Sequence, residues 1–318
     1  MIRPSLIFSG KFKKFPFNYS ILFTVVLAAL LAITSCGENK TGISKTEQSN
    51  ANLPEEGEIH IYVSIAPQRY FVKQIGKNRV TISVLVPPGE EPHSYNPSPK
   101  QITALSDADS YFRIGVNFEE VFLPKIKRTL SNLPIMDLRK DVSFRTFSAD
   151  ADKSLKGSRD PHIWLGPPQV KTIAANILNS LISLDPKGET VYKENYGNLL
   201  KKIEQLDSEL KKILSPLTGK TLLVFHPAFG YFADAYNLNQ IAIETGGHEP
   251  TASRMEAIIK KAKQNNVKVI FVQPQFASDA ANNIAQAING TVVKVNPLAE
   301  NWYENMQQIS DKIKRGLQ

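Results

Sequence analysis

The chain is almost free of cysteine: Cys36 is the only one among its 318 residues. A single cysteine excludes an intramolecular disulfide, and it also excludes a metal site built from several thiolates of one chain. Histidine is scarce as well, with five residues in the whole sequence. A site for a divalent transition metal would therefore have to use imidazole and carboxylate ligands.

The chain also lacks a cluster of positive charge. Its formal net charge is +8, from 38 lysines and arginines against 30 aspartates and glutamates. Residues 1–35 contain four of the basic residues and no acidic one, so the rest of the chain has 34 basic and 30 acidic residues, a net charge of +4. So small an excess argues against a nucleic-acid-binding protein.

The apolar run at residues 21–33 is too short to span a bilayer comfortably, but three lysines precede it and its length suits an export signal. It ends in the sequence ITSC, which resembles the lipobox of bacterial lipoproteins. The resemblance implies that residues 1–35 are a signal peptide and that Cys36 carries a membrane-anchoring lipid. An uncleaved anchor helix with a chance cysteine is the alternative. Both interpretations place the following residues outside the cytoplasm, at the cell surface or in the periplasm.

The next part of the chain, residues 36–57, is polar and poor in large apolar side chains, which predicts a flexible tether. After it, short β-branched runs alternate with amphipathic segments. Strands are predicted at 59–65, 80–86, 111–114, 134–137, 221–225, 240–244, 267–272 and 291–295. Helices are predicted near 67–75, 99–105, 119–130, 229–236, 253–264, 279–288 and 302–314. This alternation predicts an α/β fold with mostly parallel sheets flanked by helices.

The two series of strands predict two lobes, at residues 58–184 and 216–318. Between them, residues 185–215 carry apolar side chains at alternating spacings of four and three, which predicts one long helix. Asp185 is the expected N-cap, and Pro186 suits the first helical position. The same spacing would also fit a coiled-coil seam, but about three heptads flanked by lobes favour a spine that joins the lobes.

Three of the histidines occupy one kind of setting. His93 follows a predicted strand, His162 precedes a helix that Pro168 can begin, and His226 ends the first strand of the second lobe. Ligands of open α/β sheets bind beyond the carboxyl ends of the strands. Each of the three has a proline beside it, which stiffens its loop. Three imidazoles with water or a carboxylate make a well-known zinc site, although a lone loop histidine is more often a satisfied polar residue.

The segments that carry these histidines resemble, in order, the ligand loops of the solute-binding lipoproteins of zinc and manganese ABC importers, closest to the zinc-uptake (ZnuA-like) branch. They read PPGEEPHSYNPSPKQITALSDADSYFRIG, DPHIWLGPPQV and FHPAFGYFADAYNL. The segments VSIAPQRYFVKQIG, GGHEPTASRM and IFVQPQF match as well. The resemblance extends from about residue 58 to the C-terminus. It implies a metal in the cleft between two lobes, delivery to an importer permease, and a monomer.

Carried over position by position, the resemblance makes His93, His162 and His226 the metal ligands. Histidine at the third position is the zinc-type choice, so Zn²⁺ is expected before Mn²⁺, which prefers oxygen ligands. Ala277 stands where manganese-type members have a late aspartate. The fourth ligand stays open between water, Glu91 and Asp279.

Other expectations concern the surroundings of this site. Asp160 and Glu244 are candidates to orient the ligand histidines. His60 is expected to pack and His248 to be solvated. Gln273 replaces a glutamate that is common in the family, and residues 139–159 lack the histidine-rich loop of some zinc-specific members.

An enzyme is the competing hypothesis, in the form of a mononuclear zinc hydrolase that activates water on a three-histidine metal. Neither an HExxH motif nor a nucleophile elbow is present, and no general base is evident. A binding protein without enzymatic activity is therefore predicted.

Overall fold

A computed structural model describes residues 58–147, 157–244, 249–276 and 279–318. The predicted signal peptide, Cys36 and the predicted tether lie outside the described residues, as do His248 and Ala277. Within the described part of the chain, none of the helices combines the length and the apolar character that crossing a membrane requires.

The first sheet is parallel and has the strand order β2-β1-β3-β4. Its strands are β1 (Ile59–Val63), β2 (Val80–Val84), β3 (Ser110–Arg113) and β4 (Ile135–Asp137). Helices α1 (Ala66–Gly76), α2 (Pro99–Leu105) and α3 (Phe118–Thr129) connect them. In the central strand β1, Val63 is completely buried between Val84 and Phe112 of the neighbouring strands. The β-branched and aromatic residues of these strands therefore form the centre of the core, as their composition predicts.

Two helices follow the first sheet, α4 (Pro167–Leu184) and α5 (Glu189–Leu214). Helix α5 has 26 residues, about 39 Å at 1.5 Å per residue. The helical run begins at Pro186 with Asp185 at the N-cap position, as predicted, but its first turn, Pro186–Gly188, is a 3₁₀ turn that the Asp185 side chain does not cap. Instead of capping the helix, the Asp185 carboxylate accepts hydrogen bonds from the Tyr192 hydroxyl (2.6 Å) and from Arg79 Nε (2.8 Å).

The second sheet repeats the architecture of the first, with all strands parallel and the order β6-β5-β7-β8. Its strands are β5 (Thr221–Val224), β6 (Asn239–Ala242), β7 (Val269–Val272) and β8 (Thr291–Lys294). The helices are α6 (Gly230–Ala235), α7 (Ala252–Gln264), α8 (Asp279–Ala287) and α9 (Trp302–Leu317). The predicted α/β fold with two parallel sheets and one long helix is therefore confirmed.

The apolar face of α5 lies inside the molecule. It packs against α1, α4 and α9, so helices from both halves of the chain cover it. The buried residues on this face are Tyr192, Leu199, Ile203, Leu206, Leu210 and Leu214. The heptad-like spacing therefore arises from intramolecular packing around a spine, and a coiled-coil seam is not needed to explain it.

Candidate metal centre

Three loops at the carboxyl ends of the strands bring His93, His162 and His226 together. His93 lies between β2 and α2, His162 before α4, and His226 two residues after β5. Their Nε2 atoms form a nearly equilateral triangle, with separations of 3.0 Å for His93–His162 and 3.1 Å for the two other pairs. Among the described residues this is the group of histidine, cysteine and acidic side chains that could hold a metal ion.

Carboxylates fix the ring orientation of two of these histidines. His162 Nδ1 donates to Asp160 Oδ1 at 2.8 Å, and His226 Nδ1 donates to Glu244 Oε2 at 2.6 Å. Both acids are buried, and both were candidates for this orienting role from the sequence alone. An ionised carboxylate only accepts hydrogen bonds, so the proton of each neutral ring is on Nδ1 and Nε2 keeps its lone pair.

The lone pairs of the three Nε2 atoms converge on one point, and this arrangement indicates a metal site. Nitrogen lone pairs about 3 Å apart repel each other unless a cation lies among them. A tetrahedral zinc ion with Zn–N bonds of about 2.0–2.1 Å holds its nitrogen ligands about 3.3 Å apart. The observed triangle is within a few tenths of an ångström of that separation, so the three imidazoles fit a zinc ion with little rearrangement.

The electrostatics favour neutral imidazoles. Burial is the largest cause that lowers the pKa of each ring. For His93, burial and then the nearby His226 lower the pKa to about 4, although Glu91 opposes the shift. Burial alone would raise the pKa of Asp160, but hydrogen bonds with His162 and Arg145 lower it overall. At neutral pH the site therefore presents uncharged nitrogen ligands next to anions. This arrangement favours a bound metal ion over protonation of the imidazoles.

Gln273 fixes the backbone of His226. Its side chain is completely buried. Its Oε1 accepts from the His226 N–H at 3.1 Å, and its Nε2 donates to the His226 carbonyl oxygen at 3.0 Å. An amide can make both bonds at once, whereas an ionised glutamate can only accept. The chain's departure from the common glutamate at this position therefore has a structural role.

The loop of His93 is held by its own acidic residue. Glu91 Oε1 accepts from the His93 N–H, and Glu91 Oε2 accepts from the backbone and hydroxyl of Ser94, all at 2.8–2.9 Å. The same Glu91 Oε1 lies 3.8 Å from His93 Nε2. Glu91 is therefore the predicted fourth-ligand candidate that the structure brings to the three histidines.

The cavity between the ligand loops is small. Its volume is about 20 Å³, which is room for one metal ion or one water molecule and far below the several hundred ångströms cubed of pockets for organic ligands. The lining residues are Glu91, Pro92, His93, His162, Trp164, His226, Ala228, Gln275, Phe276, Pro297 and Leu298. The Phe276 ring stacks on His226 with centroids 4.8 Å apart. The geometry excludes an organic solute and suits a single ion.

The remaining candidates lie elsewhere. Asp279 is exposed at the start of α8 and does not line the cavity. His60 Nε2 is 2.9 Å from Ser83 Oγ at the edge of the first sheet, in agreement with its predicted packing role. Sequence reasoning missed Arg145, which bridges Asp160 and Asp234 at 2.8 Å each, and Gln275 in the cavity wall. Arg145 has no local motif that could have identified it, and Gln275 lies in the segment IFVQPQF, which matches the family without indicating a role for this residue.

Comparison with known proteins shows similarity to zinc-uptake proteins. Residues 61–316 match the profile of the ZnuA family, described as "Zinc-uptake complex component A periplasmic". The chain is 26% identical over 292 residues to the high-affinity zinc uptake system protein ZnuA of Bacillus subtilis, covering 88% of this chain and 89% of that protein. It is also 26% identical over 254 residues to the zinc-binding lipoprotein AdcA of Streptococcus pneumoniae. This match covers 76% of this chain and 50% of AdcA. A crystal structure of ZnuA superimposes with a TM-score of 0.77 at 38% identity, covering 82% of this chain and all of that one.

Proposed function

The chain belongs to the family of periplasmic zinc-uptake component A, and on that premise we propose that it captures a zinc ion outside the cytoplasm and delivers it to an ABC importer. The observation that carries this proposal is the triangle of Nε2 atoms from His93, His162 and His226, with two of the rings locked by carboxylates. Binding and release are its task, because the family is a transport component without enzymatic activity. The alternative of a zinc hydrolase is therefore wrong.

Zinc is the metal that this ligand set favours. Three neutral imidazoles are borderline ligands that suit zinc, whereas manganese prefers sites rich in oxygen ligands. Glu91 is the one acidic residue among the described residues of the cavity wall, and we propose it or a water molecule as the fourth ligand. We expect zinc to bind more tightly than manganese by a factor on the order of a thousand.

Metal titration of the wild type and of histidine variants tests the proposed function. Zinc that binds only the folded state raises the free energy of unfolding by about 2.7 kcal/mol at a free concentration one hundred times the dissociation constant. Replacement of His93, His162 or His226 by alanine should remove most of this increase. His60→Ala is the matched control and should keep it, because His60 lies outside the cavity. Equal zinc stabilisation of His226→Ala and His60→Ala would refute the assignment, as would manganese that stabilises the wild type as strongly as zinc does.

The anchoring of the protein is a further part of the proposal. The ITSC sequence and the lipoprotein relative AdcA support a cleaved signal peptide and a lipid on Cys36. We also propose that the protein acts as a monomer beside its permease, tethered by residues 36–57. Labelling of cells with a radioactive fatty acid should mark the wild type but not Cys36→Ser, which should still bind zinc. Equal labelling of both proteins would contradict the lipid anchor.

A further inference from the structure

The wall of the metal cavity contains a buried hydrogen-bond acceptor that the three-histidine site does not use. Gln275 lines the cavity three residues after β7. Its Oε1 is buried, and among the described residues it has no hydrogen-bond partner. A buried acceptor without a donor is costly, so a donor that comes with the cargo is the natural explanation.

The orientation of the Gln275 amide follows from its neighbour Asn296. Asn296 Oδ1 accepts from the Leu298 N–H at 3.0 Å, which identifies this atom as the oxygen of the Asn296 amide. Gln275 Nε2 donates to the same oxygen at 3.2 Å. Asn305 of helix α9 holds Asn296 in turn, through a bond of 2.7 Å to its backbone carbonyl. Because the Gln275 nitrogen is turned to Asn296, the oxygen is the polar atom left for the cavity.

His162 and His226 cannot supply the missing donor, and His93 turns its Nε2, not its Nδ1, to these two rings. The N–H groups of His162 and His226 point to Asp160 and Glu244, and the Nε2 atoms are lone-pair ligands. Zinc with three nitrogen ligands commonly takes water as its fourth ligand, and a metal-bound water is a strong hydrogen-bond donor. The cavity of about 20 Å³ is far too small for an organic ligand, so water is the external ligand that suits the open side of the ion.

We propose that Gln275 Oε1 accepts a hydrogen bond from a water molecule bound to zinc as its fourth ligand, so that Gln275 is a positioning residue for the cargo. This inference rests on the proposed function. It also gives a route for delivery: a ligand of the importer can replace the water without first displacing a protein side chain. The bond to Gln275 Oε1 forms with the loaded state, whereas the bond from Gln275 Nε2 to Asn296 does not depend on the metal.

Gln275→Met tests the inference, because methionine keeps the length of the side chain and removes the acceptor. Zinc affinity, measured by competition with a chelator, should fall about 10- to 100-fold, the usual effect of losing a partner of a metal ligand. The visible spectrum of the cobalt-substituted protein should change as well. Methionine also removes the amide that donates to Asn296 Oδ1, so the metal-free variant should unfold at a slightly lower temperature. Gln275→Glu loses the same donor, so a merely structural role would weaken zinc binding equally in both variants.

Two further variants complete the test. Gln275→Glu keeps an acceptor and should bind zinc within about tenfold of the wild type. Gln264→Met, on the exposed end of α7, is the matched control and should leave affinity and spectrum unchanged. Gln275→Met that binds zinc within twofold of the wild type, with an unchanged cobalt spectrum, would overturn this inference alone. Failure of the wild type to bind zinc would overturn the proposed function instead.

Discussion

At the scale of single residues, the pH dependence of stability follows from the three buried imidazoles. Their pKa values are lowered in the folded protein, whereas histidine in the unfolded chain titrates near pH 6.5. The unfolded state therefore binds more protons at acidic pH. Stability is fully present above about pH 6.5 and is lost as the pH falls from there towards the folded value of about 4 for His93.

This predicts that the metal-free protein loses about 1.4 kcal/mol of unfolding free energy per pH unit for each histidine that unfolding protonates. Urea unfolding between pH 7.5 and pH 5 measures the slope. The triple variant His93→Gln, His162→Gln, His226→Gln should show a shallower slope over the same range. A slope equal to that of the wild type would mean that these histidines are not the groups that titrate.

Gln273 gives a second prediction at this scale. Gln273→Met leaves the buried N–H of His226 unpaired, which costs about 1–3 kcal/mol, whereas the His226 carbonyl keeps its bond from the Ala228 N–H at 2.8 Å. We expect a stability loss of about 1–3 kcal/mol together with weaker zinc binding. Gln264→Met again serves as the exposed control. Thermal unfolding with and without zinc measures both effects, and a variant with wild-type values of both would refute the role of Gln273.

The residues that sequence reasoning identified are those with local signals. Asp160 lies two positions before His162, and both the backbone N–H and the ring of His162 bond to its carboxylate, so proximity in the chain was informative. Gln275 depends on Asn296, 21 positions away, and Arg145 depends on the packing of α6. Such long-range partners leave no periodicity and no motif in a single sequence.

At the scale of elements, the sequence predicts all eight strands within two residues of their observed ends. The alternation of β-branched runs and amphipathic segments is a strong local signal, so this success has a physical basis. At the start of the long helix the Asp-Pro pair is placed as predicted, but the first turn is 3₁₀ and the Asp185 side chain does not cap it. The Asp185 carboxylate is drawn away from the cap position by Tyr192 and Arg79, and Arg79 belongs to a distant part of the chain.

This arrangement at the start of α5 predicts the effect of Tyr192→Phe. The variant removes the 2.6 Å hydrogen bond from the tyrosine hydroxyl to Asp185, a charge-assisted bond whose loss costs about 1.5–3 kcal/mol. Tyr196→Phe, one turn further along the helix, is the control and should be close to neutral. Chemical denaturation of both variants measures the difference, and equal stabilities would show that the bond to Asp185 contributes nothing.

At the scale of the whole molecule, the first sheet and one face of the second share a core, while the other face of the second sheet has a separate apolar cluster that includes Leu223 and Ile270. One cluster of buried apolar residues includes Val63 of the first sheet, Leu206 of α5 and Val224 of the second sheet. Two tryptophans tie the halves together beneath the metal cavity: Trp164 Nε1 donates to the Pro297 carbonyl at 2.8 Å, and Trp302 Nε1 donates to the Trp164 carbonyl at 2.6 Å. The separate lobe boundaries predicted from the sequence remain a prediction.

The shared core and the bridge from Arg145 to Asp160 and Asp234 hold the ligands from both halves. Ligands fixed by packing and ion pairs lower the cost of ordering on binding, which favours high affinity. Two-lobed architecture was accessible from the sequence, because it follows from local patterns. The tight coupling of the halves could not be predicted from the sequence, because it depends on contacts between residues more than a hundred positions apart.

We propose that His93, His162 and His226 together bind one zinc ion. X-ray absorption at the zinc edge of the one-to-one complex tests it most directly, because it reports the type, number and distance of the ligand atoms. We expect three imidazole nitrogens at about 2.0–2.1 Å with one oxygen ligand and no sulfur. A first shell made mainly of oxygen, or one with fewer than three imidazoles, would contradict it.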